Sequence, residues 1–260
     1  MRQADALPPL VREFCEVTRL PHDPFAKAFL NRCRSRTIKV NGRFYKYFQS
    51  GSGPTVLLVH GLHANLGSMV ALAEELLGQG YRVVLFDVTA HGEALGATAD
   101  PVEIRALMRG MYDRITGLHA VVGHSLGALW ALSAWHEGLR AKALITIASP
   151  SSMLFIAEKF AELNNLTASQ SNELQGQLQG CFGADLWTAF SPLEAVRAID
   201  VPGLVIHGSA DEYVPPGHAA ELHAGWTRAR LELIEGAEHF EIMETPQVRS
   251  IVSAFLREVG

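Results

Sequence analysis

The amino-acid sequence predicts one α/β domain, in which a mostly parallel sheet is covered by helices on both faces. Three observations carry this. Strand-like and helix-like segments alternate through the second half of the chain, the pattern that parallel strands with helical crossovers produce. The runs Thr55-Val56-Leu57-Leu58-Val59 and Leu118-His119-Ala120-Val121-Val122 are apolar almost throughout, as strands buried on both faces are. The second run leads directly into Gly123-His124-Ser125-Leu126-Gly127 and then into an Ala/Leu/Trp-rich stretch over 128–136, so a strand turns sharply into a helix around a serine. With 260 residues, 48% of them hydrophobic, the chain can bury one substantial core over its whole span, 1–260. Neither a repeat nor an independent second domain is visible.

The elements follow in order. Residues 1–34 read as a helical preface: Phe14, Val17 and Leu20 recur at helical spacing before Pro21 stops the helix. Arg36–Val40 and Arg43–Phe48 flank Asn41-Gly42, the strongest short hairpin signal, because both turn residues tolerate positive φ. The strand over 55–59 precedes a helical segment over 68–77, closed by Gly78 and Gly80. A strand over 81–86, a helix over 101–116 and the strand over 118–122 come next. Beyond the helix after Ser125, the pattern predicts strands over 141–148 and 201–207, a helix near 217–224, a strand over 230–234 and a last helix over 246–259.

The alternation stops only between Ser149 and about Ile199. Met153, Ile156, Phe160 and Leu163 sit there at helical spacing, followed by a Gln-rich polar stretch and Cys181 to Trp187. Residues 150–197 are expected to form a helical cap inserted after the sixth strand, over the carboxyl ends of the strands, where open α/β sheets bind ligands. On periodicity alone, the same apolar stripe could instead extend the core.

Charge and composition exclude several classes. A net charge of −5 offers no general attraction for nucleic acid or an anionic membrane. No apolar run approaches the ~20 residues of a membrane-spanning helix, and Met1 to Pro9 lack the apolar centre of a signal peptide. Cys15, Cys33 and Cys181 are odd in number, scattered and not at metal-ligand spacing, so free thiols and a cytoplasmic location are expected. One local exception stands out. Lys27, Arg32, Arg34, Arg36, Lys39, Arg43 and Lys46 occur with no acidic residue between them. This segment, 27–46, reads as a solvated face or as a contact for a phosphate-bearing acyl carrier.

A serine hydroxyl is a poor nucleophile at neutral pH and needs a base, which in turn needs an orienting acid. An imidazole suits the role because an ordinary histidine titrates near ~6.5. His239 lies in Glu235-Gly236-Ala237-Glu238-His239-Phe240, just after the last predicted strand. Asp211 lies in His207-Gly208-Ser209-Ala210-Asp211-Glu212, just after the preceding one. Serine, then acid, then histidine is the chain order of the α/β-hydrolases.

Over nearly its full length the sequence resembles a bacterial serine α/β-hydrolase of the esterase/thioesterase type. The matching pieces are Val59-His60-Gly61 after the third strand, Phe86-Asp87-Val88-Thr89-Ala90-His91-Gly92 after the fourth, residues 123–127, Asp211 and His239. The resemblance implies the α/β-hydrolase fold, Ser125 as nucleophile, His239 as general base and then acid, and Asp211 as the orienting carboxylate. It places the oxyanion hole at the backbone N–H groups of Leu126 and Leu62 and implies no metal or organic cofactor. Relatives often carry Arg-Gly-His-Gly after the fourth strand where this chain has Thr-Ala-His-Gly, a change that bears on local shape. His124 is expected to point away from Ser125 into the elbow packing, and His60 and His91 to be structural. His207 ends its strand too early in the order to be the base. Glu212, Glu238, Glu241 and Asp87 are the competing acids.

A serine nucleophile excludes the aspartyl-ester route of dehalogenase and epoxide-hydrolase relatives. The expectation is an acyl-enzyme formed from a carboxylic ester with a hydrophobic acyl or alcohol part. The same triad would serve an acyl-thioesterase, a carbon–carbon bond hydrolase or an acyltransferase. A slow-turnover ligand receptor could also keep the fold, since loops rather than fold set the choice. His63, beside the oxyanion loop, and Met153, Ile156, Phe160 and Trp187 of the cap are the candidate substrate contacts.

Overall fold

In the computed structural model, which describes residues 6–260, the chain first pairs with itself in the hairpin of β1 (Arg34–Val40) and β2 (Arg43–Ser50). Asn41 and Gly42 take φ of 48° and 82°, two consecutive left-handed residues whose twist matches that of the strands they join. Six further strands follow: β3 (Thr55–Val59), β4 (Arg82–Phe86), β5 (Leu118–His124), β6 (Ala141–Ile147), β7 (Gly203–Gly208) and β8 (Ala229–Ile234). They form one eight-stranded sheet in the order β1-β2-β4-β3-β5-β6-β7-β8. β2 runs antiparallel to β1 and β4, and every pair from β4 onward is parallel. The antiparallel hairpin is thus an edge added to an α/β sheet.

Among the described residues eleven α-helices accompany the strands: α1 (Pro9–Cys15), α2 (Pro24–Leu30), α3 (Val70–Gly78), α4 (Pro101–Arg114), α5 (Leu126–Ser133), α6 (Met153–Leu163), α7 (Ala168–Phe182), α8 (Leu186–Ala189), α9 (Pro192–Arg197), α10 (Gly217–Gly225) and α11 (Pro246–Glu258). Alternation along the central strands splits the core into two layers. Leu57, Val59, Val84, Phe86 and Val121 face the layer that holds Leu107, Leu129 and Leu222. Val56, Leu58, Val83, Leu85 and Val122 face the layer that holds Leu72, Leu76, Val252 and Phe255. Local chemistry sets the helix starts. Asp100 accepts from the Val102 and Glu103 N–H groups ahead of Pro101, and Thr167 and Gln170 form a reciprocal capping box on α7, satisfying N–H groups the helix leaves unpaired.

Two segments depart from the expected reading. The N-terminal preface is two short helices rather than one; its first five residues lie outside those described. α1 ends at Cys15, Glu16 is extended and bridges Thr98, and the Ala99 N–H donates to the Cys15 carbonyl at 2.7 Å. The strap that follows is held by the Arg19 guanidinium, which donates to the carbonyls of Gly92, Ala94 and Gly96 at 3.2, 2.6 and 2.8 Å. These long-range bonds outweigh one more helical turn, and Leu20 ends exposed instead of on an apolar stripe.

Residues 150–197 divide their faces between the core and a cavity. On α6, Met153, Ala157 and Ala161 are buried, while Ile156 and Phe160, on the next face, border a cavity beside Ser125. On α7, Leu174, Leu178 and Phe182 join the main core. No helix among the described residues is long and apolar enough to cross a membrane.

Candidate active site

Ser125 sits between the last residue of β5 and the first of α5 with φ 52° and ψ −126°, a conformation that costs a non-glycine residue energy and persists only where the surroundings enforce it. Its N–H donates to the Ile147 carbonyl at 2.8 Å. The flanking glycines are sterically required. A Cβ on Gly123 would overlap the Ala128 backbone, and one on Gly127 would overlap the carbonyls of Val59 and His60. A Cβ on Gly61 would come within 2.9 Å of Ser125 Cβ, so the loop after β3 also closes tightly on the elbow.

His239 Nε2 lies 2.9 Å from Ser125 Oγ, and His239 Nδ1 lies 2.7 Å from Asp211 Oδ2. All three side chains are buried. An ionised carboxylate only accepts, so Nδ1 carries the proton toward Asp211 and leaves the Nε2 lone pair facing the hydroxyl. Burial alone would raise the Asp211 carboxyl. Hydrogen bonds from His207, His239 and the Val214 N–H outweigh that penalty and hold it well below the usual carboxylate range. The arrangement can take a proton from the serine hydroxyl and hold the resulting imidazolium beside a fixed negative charge.

The other histidines are occupied elsewhere. His207 Nε2 donates to the Val214 carbonyl at 2.7 Å and lies 3.3 Å from Asp211 Oδ2, bracing the acid. His60 accepts from the Val88 N–H through Nε2 at 3.0 Å and donates to the Gly61 carbonyl at 2.8 Å. His91 contacts the Thr89 carbonyl at 2.9 Å, and burial pushes its pKa down to about 4. His124 is turned away from the Ser125 hydroxyl, but it reaches further than elbow packing. Its Nε2 donates to the His239 backbone carbonyl at 2.9 Å, and burial pushes its pKa down to about 3. Asp87 is engaged by His22 at 2.8 Å and by the N–H groups of Leu66 and Glu93, each at 2.9 Å. Glu212, Glu238 and Glu241 are exposed.

A cavity of about 330 Å³ opens over the reacting groups. Ser125, His239, Leu126 and Leu62 border it, and Leu126, as the first residue of α5, has no intrahelical acceptor for its N–H. Ile156, Phe160 and Leu163 of α6 form one apolar wall, with Phe14 of α1 packed edge-on against Phe160 at 5.4 Å. His63, at φ 54°, borders the cavity next to Leu62. Met153 and Trp187 do not. Met153 lies on the buried face of α6, which turns only one stripe toward the cavity, and Trp187 packs against the main core from α8, which lines no part of it.

A second cluster, partly buried, has no signal in the sequence. Ser151 Oγ donates to Glu221 Oε2 at 2.6 Å and lies 2.8 Å from His218 Nδ1, and the His218 ring packs at a tilt against Phe155, centroids 4.1 Å apart. This ties the start of α6 to α10. Neither a motif nor a spacing links residues 151, 155, 218 and 221, so only the packed structure brings them together.

Part of the basic segment lies away from this site. Arg32, Arg34 and Arg36 line a separate surface cavity with Arg82, at the amino end of β4. Ser125 follows the carboxyl end of β5, which runs in the same direction, and a five-residue strand spans about 16 Å.

Residues 56–249 match the alpha/beta hydrolase family, and with the sheet order and elbow described above, the chain belongs to that family. It is 24% identical over 232 residues to an uncharacterized protein of Mycobacterium tuberculosis, covering 86% of this chain and 76% of that one. Among solved structures it is similar to an esterase of Pyrococcus furiosus, with a TM-score of 0.73 and 20% identity over 94% of this chain and 100% of the esterase. It is also similar to a bromoperoxidase of Bacillus anthracis, with a TM-score of 0.64 and 16% identity over 86% of this chain and all of the other. Two different reactions among such neighbours mean that this likeness fixes the architecture and leaves the reaction to the site.

Proposed function

We propose that the protein is a serine hydrolase that cleaves carboxylic esters through an acyl-enzyme. The observation that supports this best is the unbroken Asp211–His239–Ser125 relay, with spacings of 2.7 and 2.9 Å, opening into an apolar cavity. Ser125 Oγ attacks the ester carbonyl while His239 Nε2 takes its proton. The tetrahedral oxyanion is held by the Leu126 and Leu62 N–H groups. His239 then gives its proton to the departing alkoxide, and the ester C–O bond breaks. Water, deprotonated by the same imidazole, releases the acid and restores the serine. Asp211 stabilises the imidazolium in both halves.

In this reading residues 150–197 act as a cap: α6 supplies the wall that selects a hydrophobic acyl chain, and the Ser151–His218–Glu221 cluster anchors it. The test is hydrolysis of p-nitrophenyl esters of increasing acyl length by wild type and Ser125→Ala. Repeated turnover by wild type, with a rate several orders of magnitude lower in the variant, is the expected result. Equal rates in the two proteins would overturn the assignment.

A further inference from the structure

A second cavity, of about 660 Å³, adjoins the first, and His63 and Phe240 line both. Its floor is the loop after β3 and the start of α3. Leu20, Pro21 and Phe25 from the N-terminal strap and α2 line the cavity, as do Met243, Glu244 and Arg249. Resting on the ester-hydrolase reading above, we propose that this cavity receives the alcohol half of the substrate, and that the preferred alcohol is bulky and apolar.

Position is the first argument. The departing oxygen takes its proton from His239 Nε2, so the alcohol leaves along the His239 side of the site. Phe240 stands there, its ring edge-on to His239 at 5.0 Å, and the second cavity begins at Phe240.

Chemistry is the second. Leu20, Phe25 and Phe240 are 44%, 55% and 43% exposed, three large apolar side chains left in water within one concavity. Such a cluster marks a surface that a ligand covers, and these three side chains suit a hydrocarbon body, while Asp23, Glu244 and Arg249 also line the cavity.

The third argument is that the wall is built in advance. His22, buried, bonds to Asp87 at 2.8 Å, and Asn65 Nδ2 donates to the carbonyls of Leu20 and Pro21 at 3.1 and 3.4 Å. Asp23 caps α2 through the Ala26 N–H at 2.6 Å. Gly67 allows the close approach beneath it: a Cβ there would lie 2.7 Å from Asn65 Oδ1 and 3.0 Å from Ala26 Cβ. A wall fixed before binding does not have to be ordered by the ligand. Residues 20–25 lie outside the stretch that matches the family, 56–249.

The experiment compares kcat/KM for methyl, butyl and cyclohexyl acetate, in which only the alcohol changes. Cyclohexanol is no better a leaving group than methanol, so a preference for its ester reports binding. Wild type should prefer cyclohexyl to methyl acetate by about tenfold, and Phe25→Ser should cut that ratio about fivefold. Leu20→Ser, on the irregular strap, should lower it in the same direction. Phe44→Ser removes a comparably exposed phenyl on the β1–β2 hairpin and should keep the wild-type ratio. A flat alcohol series in wild type, or equal shifts in Phe25→Ser and Phe44→Ser, would overturn the proposal. Wild type active on p-nitrophenyl esters but flat across these alcohols would overturn this inference alone. Wild type inert toward every ester would overturn the hydrolase reading and this inference with it.

Discussion

Acid should unfold this protein through its buried imidazoles, and the structure sets the slope. His91 and His124 titrate at about 4 and about 3, in each case chiefly because burial disfavours the charged ring. Unfolded, an ordinary histidine titrates near ~6.5. Between these values the unfolded chain binds a proton that the folded chain refuses, so stability falls as pH falls. Each such group contributes about 1.4 kcal/mol per pH unit. From pH 7.5 to 4.5, the two together cost about 5 kcal/mol, comparable to the whole stability of a marginal domain at ~5–15 kcal/mol. His60, lowered for the same reason, adds to the loss. His22 works in the opposite sense. The hydrogen bond to Asp87 raises its pKa, so its contribution is complete below the ordinary histidine range and is lost only as pH rises through the raised value. It therefore offsets part of the loss while pH falls toward the ordinary histidine range, and none of it below that range. The depressed carboxyls of Asp87 and Asp211 begin to give up their contribution only as pH falls through the carboxylate range. The assay is urea unfolding followed by tryptophan fluorescence at pH 7.5, 6.0, 5.0 and 4.5, on wild type and His91→Gln. The variant should lose up to half of the slope between pH 6 and 4.5, less to the extent that His60 shares it, whatever its absolute stability. A wild-type stability that is flat over this range, or an unchanged slope in the variant, would refute the reasoning.

Replacing Asp211 by Asn should lower kcat by ~10³- to 10⁴-fold with little change in KM, because an amide lets His239 adopt the wrong tautomer; steady-state kinetics beside an unchanged circular dichroism spectrum reads this out. Gly127→Ala would ordinarily gain ~1 kcal/mol inside a helix, but here the new methyl meets the Val59 and His60 carbonyls. Chemical denaturation should instead show a loss of ~1–3 kcal/mol. Phe160→Ala removes the ring that borders the cavity and packs on Phe14. It should cost about tenfold in kcat/KM for medium-chain acyl esters and less for acetyl esters, as an acyl-length series would register.

Strong local physics made the central half of the chain readable. The apolar runs at 55–59 and 118–122 can satisfy their burial only inside a covered sheet, and Gly123 and Gly127 flank the one serine that a strand-to-helix turn lifts forward. Asp211 and His239 were legible because each follows a strand whose place in the order could be counted. The N-terminus was not legible. Phe14, Val17 and Leu20 have helical spacing, but Arg19, His22 and Asn65 spend their hydrogen bonds on partners 44 to 77 residues away, a competition no local pattern records. The faces of α6 divide for a similar reason. Periodicity grouped Met153 with Ile156 and Phe160, and only the packing partners decide which stripe is core and which is cavity wall. His124 and the Ser151–His218–Glu221 cluster act through contacts that close in three dimensions alone.

The account turns on Ser125 being the activated nucleophile. An alkyl fluorophosphonate offers a direct measurement: attack by the serine oxygen forms an O–P bond and expels fluoride, leaving a stable adduct that peptide mass spectrometry locates. The account predicts a single adduct on Ser125, absent from Ser125→Ala and strongly slowed in Asp211→Asn. An unlabelled wild type, or an adduct on any other residue that persists in Ser125→Ala, would contradict it.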